Sequence, residues 1–408
     1  MKRKAVTLAV AGALGVPVAA FAQNVQIYGK LYPELTYAKT TGATAPGTPA
    51  SQLSTIQKVA PAGDLKPRLS QDTGNSYIGF RGSEDLGSGL KAIFQIEQNA
   101  NVDASGANNV FASRDSFLGL TGGFGTIRLG NMDTVYKRIG DPMAILGVSS
   151  GNFVSSSNIL AKPGFGSSSA SSFNLRRANS LAYESPTFGG VQILAQWSPD
   201  EGRFASAAGL PSTTEKNAYL TSVGAKFEMG GLYLALANER HRDTFGGSAN
   251  VPTAIANPTD GSTVHSMDMS TRASASYEIG GTKFGGDFAT TEYKEDGAAT
   301  GHFERYKHNT WLVGVQQKVG NITAALNYGS ASAGTCSLAG GAACSTGGLE
   351  GKLIAAGLGL SLSKRTLLFA LAARLNNGDS ATYNNLTNAD APVGGDITQF
   401  ALGVSHSF

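Results

Sequence analysis

Segment after segment of this chain is patterned in twos. Val25, Ile27, Leu31, Leu35 and Tyr37 alternate with Gln26, Tyr28, Lys30, Tyr32, Glu34 and Thr36. The beat returns in Leu90, Ala92, Phe94 and Ile96 against Lys91, Gln95 and Glu97, and in Val191, Ile193, Ala195 and Trp197 against Gln192, Gln196 and Ser198. Trp311, Val313, Val315 and Val319 alternate with Leu312, Gly314, Gln316 and Lys318. The chain ends on Phe400, Leu402, Val404, His406 and Phe408, with small residues between them. Side chains of a strand point alternately to its two faces, so each segment is a strand with one bulky apolar face and one polar or small face. Helical periodicity is nearly absent. After the first residues no apolar run approaches the ~20 residues of a spanning helix; the longest is Leu367 to Ala373.

The connections come in two lengths that take turns. Short ones are RGSEDLGSGL (81–90), TGGFGT (121–126), ESPTFGG (184–190), EMGG (228–231), IGGT (279–282), VGN (319–321) and LSKR (362–365). Between them fall polar segments rich in Gly, Ser and Ala near 39–74, 100–113, 132–175, 199–216, 242–266, 294–304, 330–349 and 377–395. Seven turns and eight loops separate sixteen strands of about ten residues, the length that crosses a bilayer when tilted.

Hydrocarbon offers no partner to a backbone N–H or C=O, so a sheet inside it must close on itself. A soluble sandwich also alternates, but rarely puts every short turn at one end and every long loop at the other. The chain is therefore expected to be all-β, a 16-stranded antiparallel transmembrane β-barrel with short periplasmic turns and long external loops. The apolar set faces lipid, and the polar set faces a lumen too wide for side chains to fill. The strand Phe400 to Phe408 must then pair with the first one, Val25 to Tyr37.

The first residues read differently. MKRK is a basic start, Ala5 to Ala19 is mostly apolar, and Ala20-Phe21-Ala22 is a small-x-small cleavage site. This predicts a signal peptide over 1–22 and a mature barrel over 23–408. Without Lys2, Arg3 and Lys4, the 32 basic residues fall to 29 and equal the 29 acidic ones. A neutral chain has no basic field to attract nucleic acid. An exported chain meets an oxidising compartment, so Cys336 and Cys344 are expected to form a local disulfide, two free thiols being the other reading.

VQIYGKLY near the start, YIGFRGSEDLGSGLKAIFQIEQ (77–98), FLGLTGGFGTIRLGN (117–131), RRANSLAYESPTFGGVQ (176–192), LSKRT (362–366) and GVSHSF (403–408) together resemble the general porins of Gram-negative outer membranes, particularly the β-proteobacterial type. The resemblance covers essentially the whole mature chain. It implies a homotrimer in the cell outer membrane, in contact with outer-membrane lipid and lipopolysaccharide. It implies that Phe408 is read by the outer-membrane assembly machinery, and that ions and small hydrophilic solutes diffuse through a water-filled pore without catalysis or cofactor. It also implies that the third long loop folds into the lumen, its acidic residues facing basic ones on the wall. The segment 132–175 holds that position and carries Asp133, Lys137, Arg138, Asp141 and Lys162, with Asp133 and Asp141 the acidic candidates.

The wall departs from the family pattern. Tyr77, Asn131 and Ala182 stand where relatives often carry arginine. Alternation leaves Lys30, Arg81, Arg128 and Arg176 as inward basic candidates, with Lys91 near a periplasmic turn. Tyr28, Tyr32 and Tyr77 make the wall aromatic. A substrate-selective channel for small anionic or aromatic organic solutes is therefore the alternative reading. An enzyme would need a nucleophile with its base, or clustered carboxylates and histidines. Four of the five histidines, His241, His265, His302 and His308, fall in or beside proposed outer loops, and no Ser-centred elbow or phosphate-cradling glycine run is present. The expectation is a channel, not an enzyme, with no metal.

Overall fold

The structure, a computed structural model, describes residues 25–58, 63–103, 110–148, 151–166, 173–199, 218–244, 250–258, 264–387 and 389–408. The expected signal peptide lies outside the described residues. Twenty strand segments follow one another: β1 (Gln26–Leu31), β2 (Glu34–Thr41), β3 (Arg68–Asp72), β4 (Tyr77–Gly87), β5 (Leu90–Asn99), β6 (Ser116–Gly122), β7 (Gly125–Asp133), β8 (Arg176–Glu184), β9 (Val191–Pro199), β10 (Tyr219–Met229), β11 (Leu232–Arg242), β12 (His265–Ile279), β13 (Thr282–Asp296), β14 (Phe303–Val319), β15 (Ile322–Ala331), β16 (Thr335–Leu338), β17 (Ala343–Cys344), β18 (Gly351–Ser361), β19 (Thr366–Asn377) and β20 (Asp396–Ser407). They form a single sheet.

Two pairs of segments are halves of one stave. β1 and β2 are separated by Tyr32 and Pro33, and β3 and β4 by Thr73 to Ser76. Proline has no N–H to give the ladder, so the first strand, expected to be continuous from Val25 to Tyr37, breaks there and resumes to Thr41. After a break at Ser332 to Gly334, β16 continues the β15 stave along the outer end of β14, and β17 folds back on it as a short hairpin. Sixteen staves remain.

The ring closes between the last strand and the first. β20 pairs with β19 on one side, Leu368 opposite Val404, and on the other with β1 and β2, Leu31 opposite His406 and Tyr37 opposite Phe400. Phe408 completes the seam: its N–H donates to the Gly29 carbonyl at 3.0 Å, and Gly29 N–H donates to the Phe408 carbonyl at 3.2 Å. Its ring lies on Gly29, so close that a Cβ there would collide with it. Leu35, Leu118, Leu129, Val313 and Leu402 are exposed on the outer face, while Leu312, next to Val313, is buried inside. The greasy side is the outside, as the alternation requires.

Several boundaries move outward from those expected. β14 has 17 residues, about 56 Å at ~3.3 Å each, well beyond the ~30 Å of a hydrocarbon core. The outer ends of β11, β12 and β14 carry His241, His265 and His308, so His265, within an expected loop segment, sits on a strand, as do His241 and His308 beside such segments. β4 runs through most of RGSEDLGSGL, which places Arg81 inside a strand and the turn at Gly87 to Gly89. β7 continues through Asp133, so the third long loop begins at Thr134. Cys336 and Cys344 stand opposite each other in the β16–β17 hairpin and are joined by a disulfide, their Cα atoms 5.2 Å apart.

A side chain at position 29 would push the terminal ring off the seam. Gly29→Val is expected to cost the folded barrel about 1–3 kcal/mol, the usual penalty for overpacking. The check is the temperature at which the folded band is lost in a heat-modifiability gel.

Candidate functional site

The third long loop is a hoop around the inside of the barrel. It leaves β7 through the helical turn Val135–Arg138, capped by the Thr134 side chain. Tyr136 is fully buried against the wall, its N–H donating to Ser222 Oγ at 2.9 Å and its hydroxyl 2.9 Å from Ser270 Oγ. Gly140 passes so close to the Arg272 guanidinium that only hydrogen fits. The Asp141 N–H then donates to Asp287 Oδ1 at 3.3 Å. Asn327 on β15 holds the Met143 carbonyl at 2.8 Å, and Ile145 and Leu146 seat on Gly357 and Gly359 of β18. Asn152 donates to Glu34 of β2 at 2.8 Å.

The loop returns along an upper tier. Ile159 packs on Gly329 and Gly351, Phe165 meets Tyr306 edge to face at 5.1 Å, and Phe173 stacks on His241 at 4.4 Å. Two apolar clusters result, one around Ile145, Phe153, Ile159, Leu353, Phe369 and Leu371, the other around Val135, Tyr136, Phe165, Tyr293 and Tyr306. Inward positions of β14, β18 and β19 are therefore apolar because loop, and not water, covers them.

The hoop's anchors are charged and buried. Arg272 and Asp287 pair at 2.8 Å with side chains 2% and 0% exposed, and Ser274 Oγ donates to the same carboxylate oxygen. Burial pushes the Asp141 carboxyl up to about 6, with Arg272 pulling it down and Asp287 adding to the rise. Asp141, expected to line the opening from the loop side, is instead part of this anchor. Asp133 is likewise committed, bound by Lys137 at 2.9 Å and Arg176 at 2.8 Å. Arg176 also holds Asp115 at 2.7 Å, so it ties the loop's two ends together rather than standing free on the wall. Between Thr134 and Leu175 the chain has a single acidic residue, Asp141, against Lys137, Arg138 and Lys162. The expected acidic loop face is therefore absent.

The sector of wall left bare runs through β1 and β4 to β7. Its side chains lie along the wall because glycines make room for them. Tyr28 crosses Gly79, where a Cβ would meet its ring at 2.6 Å, and its hydroxyl donates to Glu97 Oε2 at 3.0 Å. Arg128 crosses Gly119 and pairs with Glu184, which also receives Arg138 from the hoop. Arg114 pairs with Glu97. Among the described residues, Lys30 and Arg81 have no carboxylate in ion-pair range; Arg81 Nε donates to Gln26 Oε1 at 2.9 Å. Tyr28 and Tyr77 meet edge to face at 6.1 Å. Tyr32 points inward but is 1% exposed, stacked on Phe369 at 4.3 Å, so it does not line open space. Glu97 reads as inward in the sequence but not as a site residue; Arg114, Glu184, Phe117 and the Arg272–Asp287 anchor were not foreseen. Alternation marks the wall residues as inward and the glycines opposite Tyr28 and Arg128 mark the room made for them, whereas the anchor has no local signal.

The sequence profile described as Gram-negative porin matches residues 5–380. The major outer membrane protein P.IB of Neisseria lactamica is 31% identical over 208 residues, 50% of this chain and 52% of that protein. A P.IB from Neisseria gonorrhoeae is 39% identical over 126 residues, 31% of this chain and 33% of that protein. The chain thus aligns with about half the length, or less, of these relatives. Among solved structures, the anion-selective porin from Comamonas acidovorans superposes with a TM-score of 0.68 at 21% identity, covering 94% of this chain and 99% of that one. OmpT of Vibrio cholerae superposes at 0.60 with 14% identity, covering 96% and 99%. At such identities the likeness is one of fold.

Two outcomes test the hoop. Arg272→Met leaves Asp287 buried without its partner, which costs about 3–5 kcal/mol, whereas Arg272→Met with Asp287→Leu should cost far less; melting temperature and single-channel noise read both. Burial lowers Lys162, whose Nζ donates to the Asn384 carbonyl, to about 8 from an ordinary 10.5. Between those values the folded protein gives up a proton that the unfolded chain keeps. Stability must rise with pH across that window, and the burial cost is fully present below it. The melting temperature of the wild type relative to Lys162→Met should climb from neutral pH to about pH 10, and a flat difference would refute it.

Proposed function

Because the chain belongs to the Gram-negative porin family, we propose that it is a trimeric, water-filled channel of the outer membrane, through which ions and small hydrophilic solutes diffuse passively with a preference for anions. Sixteen staves enclose more space than their side chains fill, and the hoop narrows that space from one side. The observation that carries the ionic preference is the pair Lys30 and Arg81, cations without a carboxylate partner among the described residues, facing a loop whose one acidic residue is buried. Charged groups that line a narrow aqueous passage bias which ions enter it. The solved neighbour from Comamonas acidovorans carries the words anion-selective in its description, and an OmpT structure is described as a trimer form; both fit this reading. Phe408, on the closing seam, is proposed as the terminal signal for barrel assembly.

Purified protein in planar bilayers tests it. Conductance should appear in steps of three, and the reversal potential in a salt gradient should carry the sign of anion preference. Lys30→Glu with Arg81→Glu should bring the chloride-to-potassium permeability ratio from above unity to below it. An unchanged ratio would remove these two side chains from the narrow part.

A further inference from the structure

The basic groups of the bare wall do not stand alone. The Arg81 guanidinium carbon lies 4.7 Å from the centre of the Tyr28 ring, Arg114 lies 4.9 Å over Tyr77, and Arg128 lies 4.9 Å over Phe117. Lys30 Nζ is 4.7 Å over Tyr32. Four cations on one sector of wall are each backed by a ring. The strand register sets their order. Gln26 is opposite Arg81 and Lys30 is opposite Tyr77, so Arg81 with Tyr28 forms a rung nearer the periplasm. Lys30, Arg114 and Tyr77 form a rung above it, with Lys30 within electrostatic range of Arg114.

From this arrangement, and resting on the channel reading above, we propose that the bare wall is a binding track for planar aromatic monocarboxylates. The guanidinium carbons of Arg81 and Arg114 lie over rings of the wall, and a guanidinium is weakly enough hydrated to take a second planar ring at little desolvation cost. At the upper rung, the carboxylate meets the Lys30 ammonium, which has no carboxylate of its own among the described residues, while the ligand ring covers Arg114, itself neutralised by Glu97. At the lower rung, Arg81 offers the Nη groups left over from its bond to Gln26, and Tyr28 backs it. Gly79 keeps Tyr28 flat across the wall, so that the ring supports Arg81 instead of blocking the passage. A carboxylate on a saturated ring satisfies the same charges but gains nothing from the guanidinium faces.

The experiment compares benzoate with cyclohexanecarboxylate, which share charge and size and differ in aromaticity, as blockers of chloride current through the full-length protein in planar bilayers. Benzoate should half-block at a concentration about fivefold lower, the ratio that one exposed cation–π contact supplies. Tyr77→Leu and Tyr28→Leu should each bring the two half-blocking concentrations together. Equal blocking by the two acids in a wild-type channel that conducts in steps would overturn the track and leave the porin reading standing. Benzoate selectivity that persists in both variants would also overturn it. Absence of any conductance would remove the channel reading, and the track with it.

Discussion

Inside hydrocarbon, an unpaired backbone N–H or C=O costs several kcal/mol, so a spanning sheet cannot keep an edge. Everything else in this molecule follows from that seam. β20 has to serve two partners, and because the first stave breaks at Pro33, its second partner comes in two pieces, β1 and β2. The last residue does the closing, since Phe408 exchanges both backbone hydrogen bonds with Gly29. Glycine at that position lets the terminal ring lie on the outer surface, where its contact with lipid costs nothing.

Closure creates a second problem. A ring of sixteen staves encloses more volume than its own side chains fill. The third loop takes up part of it and becomes a second layer of protein inside the first. It is held as a globular core is held, by apolar contacts along β14, β18 and β19 and by a buried Arg272–Asp287 pair that its own backbone joins. Breaking such a pair costs far more than replacing it whole, because one partner left behind is an uncompensated buried charge.

The hoop also decides the electrostatics. It covers the wall from β10 round to β2 and leaves β1 and β4 to β7 bare, so the lumen has one chemical face of cations and rings. The loop's single acidic residue is spent on anchoring, and Arg176, Asp133 and Asp115 are spent on tying its ends. Among the described residues, the bare wall keeps charges for a passing solute, because Lys30 and Arg81 have no carboxylate in ion-pair range there. Glycines at 79 and 119 hold Tyr28 and Arg128 against the wall and keep the passage clear.

The sixteen-stave count, the outward face of each strand, the turn positions and the pairing of the two ends were legible in the sequence. Each depends on a period-two pattern, which is local. Lys30, Arg81, Arg128, Tyr28 and Tyr77 were legible as inward for the same reason. Parity cannot say what covers an inward residue, and that was left to the tertiary structure. Tyr32 and Tyr77 share a face, yet Phe369 buries the first and the second lies on the bare wall. Leu367 to Ala373, the longest apolar run, lies on β19 and is apolar on both faces because lipid lies on its outer face and the hoop on its inner face. Asp141 and Asp133 differ from free lumen acids only through Arg272, Asp287, Lys137 and Arg176, three of which lie on segments remote from them in the chain. Alternation is written residue by residue, whereas the path of a loop through a lumen is set by contacts between residues remote in the chain, such as Asp141 with Asp287 and Asn152 with Glu34.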